Sequence, residues 1–438
     1  MELKHVLLVE NGPRGAKEEL LRRLRAEKGY ETSILVNSGP YGGVNDWYKL
    51  HFPEHHVVRA NFQKPVHVFD RLNSFFKVRG KVDGVATFME EAVNITNQIQ
   101  VRFELPSIVD REKGNIEALR NKYIMRERLR LAGLRQPECF PCSSFEEVEK
   151  SVRYFIEGSP SRHCVIKPVE MFYSLGVRKV VSMNDPLRNY YDHATHDDFT
   201  AEHLREQFAF SPRVLVEEYI PADEEISAEG LVVRGTCMTI ALTAKYFGPE
   251  PKFQELGYTI PRPSCHTTLS RDILDRVKAI LPVAINALHL HNTAFHAELR
   301  LKEGHEPTVV EIGARLAGEQ IPLLLHKATG VDMVRGLLDL AVDRPITLRE
   351  IQPLINAFSS FVLIPDRAAM ARVKAVEHQL RELPSFEELR GAHDGGSHEK
   401  QIEADGTEEE GAIVLVSSSS QQIAHDRDWI RLNCGVLA

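Results

Sequence analysis

Apolar residues recur along this chain in two rhythms, and the elements they mark alternate from the start. Val6–Val9 is a short apolar run that reads as a strand; Gly12-Pro-Arg-Gly15 supplies a turn, and Ala16–Lys28 continues at helical spacing up to Gly29. Thr32–Val36 reads as the next strand and Val82–Phe88 as a further buried one, so roughly the first 110 residues predict a βαβ-type open sheet. The run from Val82 ends in Met89-Glu90-Glu91, and residues at the carboxyl ends of such strands line a crevice. Glu90 or Glu91 could therefore meet a substrate amine; the alternative is the acidic first turn of a helix. Asn11–Gly15 lacks the G-x-G-x-x-G spacing, which excludes a dinucleotide loop there.

Further along, Asn121–Gly133 is an amphipathic helix ended by glycine, with Lys122 in its first turn. Cys164–Lys167 is a short apolar strand ending in a lysine, followed by a loop with Ser174 and Gly176 and another strand at Val177–Val181. Such a loop lays backbone N–H groups and a cation over phosphate oxygens. Val214–Val216 runs into a hinge, Glu217-Glu218-Tyr219-Ile220, whose backbone could pair with a purine edge; Glu225 follows, suited to ribose hydroxyls. Between these strands, residues 183–212 are polar; His193, His196, Asp197 and Asp198 could bind metal, but the segment reads as a flexible insertion. Near the end, Ala357–Ile364 and Ala412–Ser417 are strand-like around an acidic loop at 391–411, read as a solvated tip.

Phe295–Leu301 and Thr308–Gly313 flank Glu303-Gly-His-Glu-Pro307, a turn with glycine and proline. Symmetric pairing about Gly304 and His305 sets Glu298 opposite Glu311 and Arg300 near Val309. Residues two apart share a face, so both carboxylates project together while Phe295, Ala297, Leu299, Val310 and Ile312 point to the core. Like charges face one another only when a cation lies between them, and oxygen-only ligands favour Mg²⁺ completed by water and phosphate. Arg315 follows within reach of a terminal phosphate. The alternative is two solvated glutamates on an edge hairpin.

Composition narrows the class without naming it. A chain of 438 residues, 43% hydrophobic and 26% charged, is ordinary globular protein with room for two to four domains. The formal charge of −8, with no basic stripe, argues against nucleic acid as a partner. The start reads as a first strand with no signal peptide, and no apolar run is long enough to span a bilayer. Six scattered cysteines suggest reduced thiols and a cytoplasmic setting; Cys139 and Cys142 have zinc or redox spacing but no second pair follows.

The order of these motifs, from about Asn115 to Leu340, resembles the ATP-grasp superfamily of carboxylate–amine ligases, most closely the L-amino-acid ligase and carnosine-synthase group. The resemblance implies an α/β (α+β) chain with an N-terminal open parallel-sheet domain (1–112), a central ATP-binding lobe (113–345, lid-like over about 136–220) and a C-terminal lobe (346–438). It implies Lys122 and Lys167 on the phosphates of ATP, with adenine against the backbone of Glu217, Glu218, Tyr219 and Ile220 and ribose near Glu225. Glu298 and Glu311 would bind Mg²⁺ or Mn²⁺, and Arg315 the γ-phosphate and the developing acyl phosphate. Glu255 and Tyr258 occupy the positions of a glutamate and a histidine that line the amino-acid pocket, and Glu319, four past the arginine, faces the first amino acid. A carboxylate there would favour a cationic substrate group; the alternative is an ordinary salt bridge.

Three departures from the group stand out. Met171, Phe172 and Tyr173 replace the small residues before Ser174-x-Gly176-Val177, Tyr258 replaces the histidine, and Gly313 replaces a further metal ligand. The implied reaction joins a small-molecule carboxylate to an amine, with a homodimer among the assemblies allowed and no nucleic acid or membrane as partner. Two other readings remain: an ATP-grasp carboxylase or purine-type ligase, and a non-catalytic nucleotide-binding module.

Overall fold

Residues Lys4–Glu10 (β1), Tyr30–Asn37 (β2), Val57–Ala60 (β3) and Gly84–Ala86 (β4) pair in parallel in the order β3-β2-β1-β4. This is a computed structural model that describes residues 2–10, 22–38, 48–49, 51–114, 116–159, 162–170, 174, 176–195, 214–248, 253, 255–262, 269–318, 320–346, 353–391 and 410–436. The sheet is apolar on both faces, as a parallel sheet covered on both sides must be. Leu7, Val9 and Leu35 pack on helices Pro65–Arg79 and Val93–Arg102 through Val68, Leu72, Ile95 and Ile99. Val6, Leu8, Ile34 and Val36 pack on helices Ile321–Thr329 and Met333–Ala341, so the first sheet shares a core with elements some 300 residues on.

β4 is shorter than the expected Val82–Phe88. The Thr87 hydroxyl donates to Val9 O (2.8 Å) and Phe88 N–H to Glu10 Oε1 (3.0 Å), side-chain bonds that replace the ladder and turn the chain. Residues 22–26 are helical and the helix ends there, two residues short of the expected Lys28; residues 16–21 of the expected helix lie outside the described residues.

A second, antiparallel sheet takes Cys139–Cys142 (β5), Cys164–Pro168 (β6), Arg178–Val180 (β7) and Val214–Glu218 (β8) in the order β5-β8-β6-β7. Helices Phe145–Arg153 and Leu187–Thr195 cover one face. Cys139 and Cys142 are free and buried at the two ends of β5, three residues apart and so on opposite faces.

The third sheet has eight strands: Glu224–Val233 (β9), Thr236–Phe247 (β10), Glu255–Ile260 (β11), Thr293–Leu301 (β12), Thr308–Gly313 (β13), Phe358–Ile364 (β14), Phe386–Gly391 (β15) and Gly411–Ser417 (β16). Their order is β13-β12-β9-β10-β11-β14-β16-β15, so the strands after residue 346 continue the central sheet through the β11–β14 pair. Helix Arg271–Ala287 packs on one face through Val277, Leu281 and Ala284, against Phe295, Ala297 and Leu299. The β12–β13 register sets Glu298 opposite Glu311, but a bulge follows and Arg300 pairs with Thr308. That extra residue is Val310. The bulge turns Val309 into the core (1% exposed), and Val310, expected there, is only partly buried. No helix among the described residues is long and apolar enough to cross a membrane.

Candidate functional site

The face of the central sheet away from helix Arg271–Ala287 carries a lattice of polar side chains. On β9, Glu225, Ser227 and Glu229 stand opposite Arg300, Glu298 and His296 of β12. Lys245 and Thr243 project from β10 alongside, and Glu311 from β13 on the other flank. Each of these residues alternates with an apolar neighbour, so the period of the strand produces the lattice.

Glu298 is the centre. Its Oε1 accepts from Lys245 Nζ (2.6 Å) and lies 3.4 Å from His296 Nε2. Lys245 also reaches Glu255 Oε2 at 2.9 Å. His296 Nδ1 faces Glu229 Oε2 (2.9 Å), and Glu229 in turn accepts from the hydroxyls of Ser227 (2.6 Å) and Thr243 (3.3 Å). Burial alone would lower the imidazole, but the Glu229 carboxylate lifts it to about 9. Burial would raise Glu298, yet Lys245 and His296 hold it well below the usual carboxylate range. Burial pushes Glu225 up to about 7, against the pull of Arg300, whose Nε lies 3.6 Å away.

Lys122, the first residue of helix Lys122–Leu131, places Nζ 3.1 Å from Glu311 Oε1; the helix is capped by the Asn121 side chain, which accepts from Ile124 N–H. On the same helix Arg126 is fully buried and joins the two antiparallel sheets. Its Nε donates to Glu217 on β8 (3.2 Å) and its Nη1 to the carbonyls of Val309 and Val310 on β13 (3.0 and 2.9 Å). Lys167 ion-pairs with the same Glu217, which Arg126 and Lys167 pull down to about 2 although burial would raise it. Arg315 Nε donates to Glu90, which also lies 3.5 Å from Arg120. Glu90 is two residues ahead of the helix cap Ala92, so its burial against two arginines, not a helix first turn, explains it.

The remaining expected residues fall as follows. Ser174 and Gly176 both have positive φ, and a Cβ at Gly176 would lie 3.1 Å from Ala194 Cα and His193 O, so the turn requires glycine. Met171, Phe172, Tyr173 and Glu319 lie outside the described residues, as do His196, Asp197 and Asp198. In the hinge, Glu218 N–H donates to Glu138 O (2.9 Å) and Tyr219 N–H to His163 O (3.1 Å). The Tyr219 ring carries Lys179 Nζ at 4.0 Å and the Arg300 guanidinium at 5.0 Å. Tyr258 shares the Lys245 face but is fully buried, stacked on Phe361 (5.1 Å), with its hydroxyl accepting from Gln320 N–H (3.2 Å). It therefore holds the chain beside position 319, a more indirect place than the pocket wall expected.

Glu229, Lys245, His296, Arg126 and Arg120 escaped the sequence reading. For the first three a signal existed: Glu225-x-Ser-x-Glu229, Thr243-x-Lys245 and His296-x-Glu298-x-Arg300 repeat polar residues at strand period inside apolar runs. The donor set suits a hard cation. Glu298 and Glu311 are opposed, all-oxygen and each a quarter exposed, whereas among the described residues no group of three or more His, Cys, Asp or Glu could hold a metal ion unaided. Phosphate oxygens and water would complete the shell.

Residues 161–322, which carry most of this lattice, match the model of the ATP-grasp domain. Among curated relatives, alanine–anticapsin ligase of Bacillus subtilis (strain 168) is 23% identical over 234 residues, 51% of this chain and 47% of that one. Dapdiamide A synthase of Enterobacter agglomerans is 26% identical over 258 residues, 58% of this chain and 53% of that one. The chain thus spans about half the length of these relatives. Among solved structures, L-amino acid ligase from Bacillus licheniformis superposes with a TM-score of 0.68 at 18% identity, covering 99% of this chain and 98% of that one. Carboxyaminoimidazole ribonucleotide synthase from Aspergillus clavatus, complexed with ATP, gives 0.70 at 14% identity, covering 99% and 98%. At these identities the superpositions establish the fold: α/β, a parallel sheet beside large antiparallel ones.

Proposed function

We propose that this chain is an ATP-dependent ligase that joins the carboxylate of one amino acid to the amine of another, through an acyl phosphate, releasing ADP and phosphate. The observation that carries the reading is the Glu298–Glu311 pair, opposed in register and flanked by Lys245 and Lys122. Names of the matched relatives support amino acids as the substrates.

Under this reading Lys122 and Lys167 bind the phosphates, with the Ser174–Gly176 turn over them, the Glu217–Ile220 hinge against adenine and Glu225 at the ribose. Mg²⁺ or Mn²⁺ held by Glu298 and Glu311 would supply charge neutralisation for phosphoryl transfer. Arg315 steadies the γ-phosphate and then the acyl phosphate. Glu255 and Glu319 receive the amino acids, Tyr258 acting through Gln320. Closure of a lid at about 136–220, between an N-terminal domain (1–112) and the rest of the ATP-grasp domain (113–345), keeps water from the intermediate; residues 346–438 form the last subdomain. A cytoplasmic setting belongs to the same reading, supported by the free thiols.

The test is Mg²⁺-dependent phosphate release from ATP over a pairwise matrix of amino acids and small carboxylates, with mass spectrometry of active wells. Phosphate together with an amide-mass product supports the ligase. The alternative reading, an ATP-grasp carboxylase or purine-type ligase, makes bicarbonate or a phosphorylated substrate the rival condition. ATP binding with no turnover under any condition would leave a nucleotide-binding module. Within an active enzyme, Glu319→Gln is expected to lower kcat/KM selectively for cationic amino acids; a uniform loss overturns that role.

A further inference from the structure

Resting on the metal placement above, we propose that His296, braced by Glu229, is a positioning residue that fixes Glu298 as a one-oxygen ligand. Both contacts made on Glu298, from Lys245 Nζ at 2.6 Å and from His296 Nε2 at 3.4 Å, fall on Oε1, which leaves Oε2 as the oxygen turned to ligate. The imidazole cannot rotate away, because its other nitrogen faces Glu229 Oε2 at 2.9 Å, and Glu229 is locked by Ser227 Oγ at 2.6 Å. Every member of this chain lies on a strand: Ser227 and Glu229 on β9, His296 and Glu298 on β12, joined by the pairs Glu298–Ser227 and His296–Glu229. The ladder itself sets the geometry.

The arrangement has no evident purpose as packing. Glu229 is 1% exposed and His296 8%, and a buried ion pair stabilises little compared with apolar residues of the same size. Its outward consequence is the orientation of one carboxylate. A ligand oriented from behind in this way typically owes ten- to a hundredfold of its metal affinity to the bracing groups.

The experiment uses the full chain with Mn²⁺ and a non-hydrolysable ATP analogue, and reads complex formation by water-proton relaxation, independent of turnover. Affinity for the analogue alone is read in EDTA by displacement of a fluorescent nucleotide. Expected for His296→Gln and Glu229→Gln is a ten- to hundredfold weaker Mn²⁺–analogue complex, with metal-free affinity unchanged. In a Glu298→Gln background the same changes should add nothing. If Glu298→Gln weakens the complex and the other two do not, His296 is structural and the proposal fails while the metal site stands. If Glu298→Gln itself binds as wild type, the metal placement falls and takes this proposal with it. Should His296→Gln not fold, Glu229→Gln, which keeps the shape of the side chain, decides by the same readout.

Discussion

Arg315 Nε donates to Glu90 Oε2 at 2.6 Å, a bond between residues 225 positions apart. It links the carboxyl edge of the parallel sheet to the loop after β13. Burial would raise the Glu90 carboxyl, but Arg315 and Arg120 hold it below the usual carboxylate range. A carboxylate already matched by two guanidinium groups is a poor receptor for a substrate ammonium, so Glu90 acts on Arg315. Glu90→Gln should cost about 3–5 kcal/mol of stability, the typical penalty for breaking a buried pair. If Arg315 serves the phosphates as proposed, the change should also lower kcat for phosphate release by about a hundredfold, because Arg315 shifts out of place. Thermal melts and steady-state rates check both; an unchanged kcat would exclude the link.

Gly313 offers a gentler perturbation of the same bond. A Cβ built there lies 2.8 Å from Glu90 Oε2 and 3.6 Å from Arg315 Cγ. The near atom is the end of a flexible side chain, so the carboxylate would move rather than the backbone. Gly313→Ala is expected to fold and melt within roughly 1 kcal/mol of wild type while lowering kcat several-fold. Combined with Glu90→Ala, which removes the obstructed atom, the glycine change should have little further effect; full additivity of the two defects would refute the steric cause.

Glu225 sets a pH dependence of stability. Its carboxyl is pushed up to about 7 by burial, above the ordinary 4.5. Between those values the folded chain binds the proton that the unfolded chain has released, so the contribution of this group is greatest below pH 4.5 and is lost as pH rises through 7. At about 1.4 kcal/mol per pH unit the ceiling is ~3 kcal/mol. Glu225→Gln should therefore melt higher than wild type at pH 8, and the gap should close towards pH 5. A gap independent of pH would rule out titration of Glu225 as its origin.

What the sequence made legible, and what it hid, divides along local and non-local lines. The turn at Gly304 and Pro307 marked the hairpin, but the strands leave it one residue out of the expected register, and Glu298 faces Glu311 only because the bulge at Val310 makes up the difference. The bulge at Val310 was hidden, because nothing within the hairpin demands it; Arg126, from a distant helix, takes the Val309 and Val310 carbonyls there. Lys122 was visible as a first-turn lysine, but its contact with Glu311 spans 189 positions. The C-terminal strands at 358–364 and 411–417 were readable as strands, yet their continuation of the central sheet depends on β11–β14 pairing that periodicity alone does not carry. Lys245 and His296 failed for another reason: each looks like an ordinary polar residue on a strand until three neighbouring strands supply carboxylates.

Glu217 gives the sharpest separation of binding from architecture. Placed at the hinge, it spends its carboxylate on Arg126 at 3.2 Å and on Lys167, all three buried. Its carboxyl is held at about 2, below the ordinary 4.5, despite burial, by those two cations. The sign is that of a depressed acid: its contribution is present above pH 4.5 and is lost as pH falls towards 2. Glu217→Gln removes the charge but keeps the size, leaving two buried cations uncompensated, so a loss of about 3–5 kcal/mol at pH 7 is expected. The loss should shrink below pH 4.5, where wild type sheds the same interaction. Lys167, released from Glu217, would lose its fixed direction, and KM for ATP should rise together with the fall in stability. Lys167→Met in the Glu217→Gln background tests the connection: it should restore part of the stability by removing a stranded charge, and restore none of the ATP affinity. Recovery of both together would mean that Lys167 serves the fold alone.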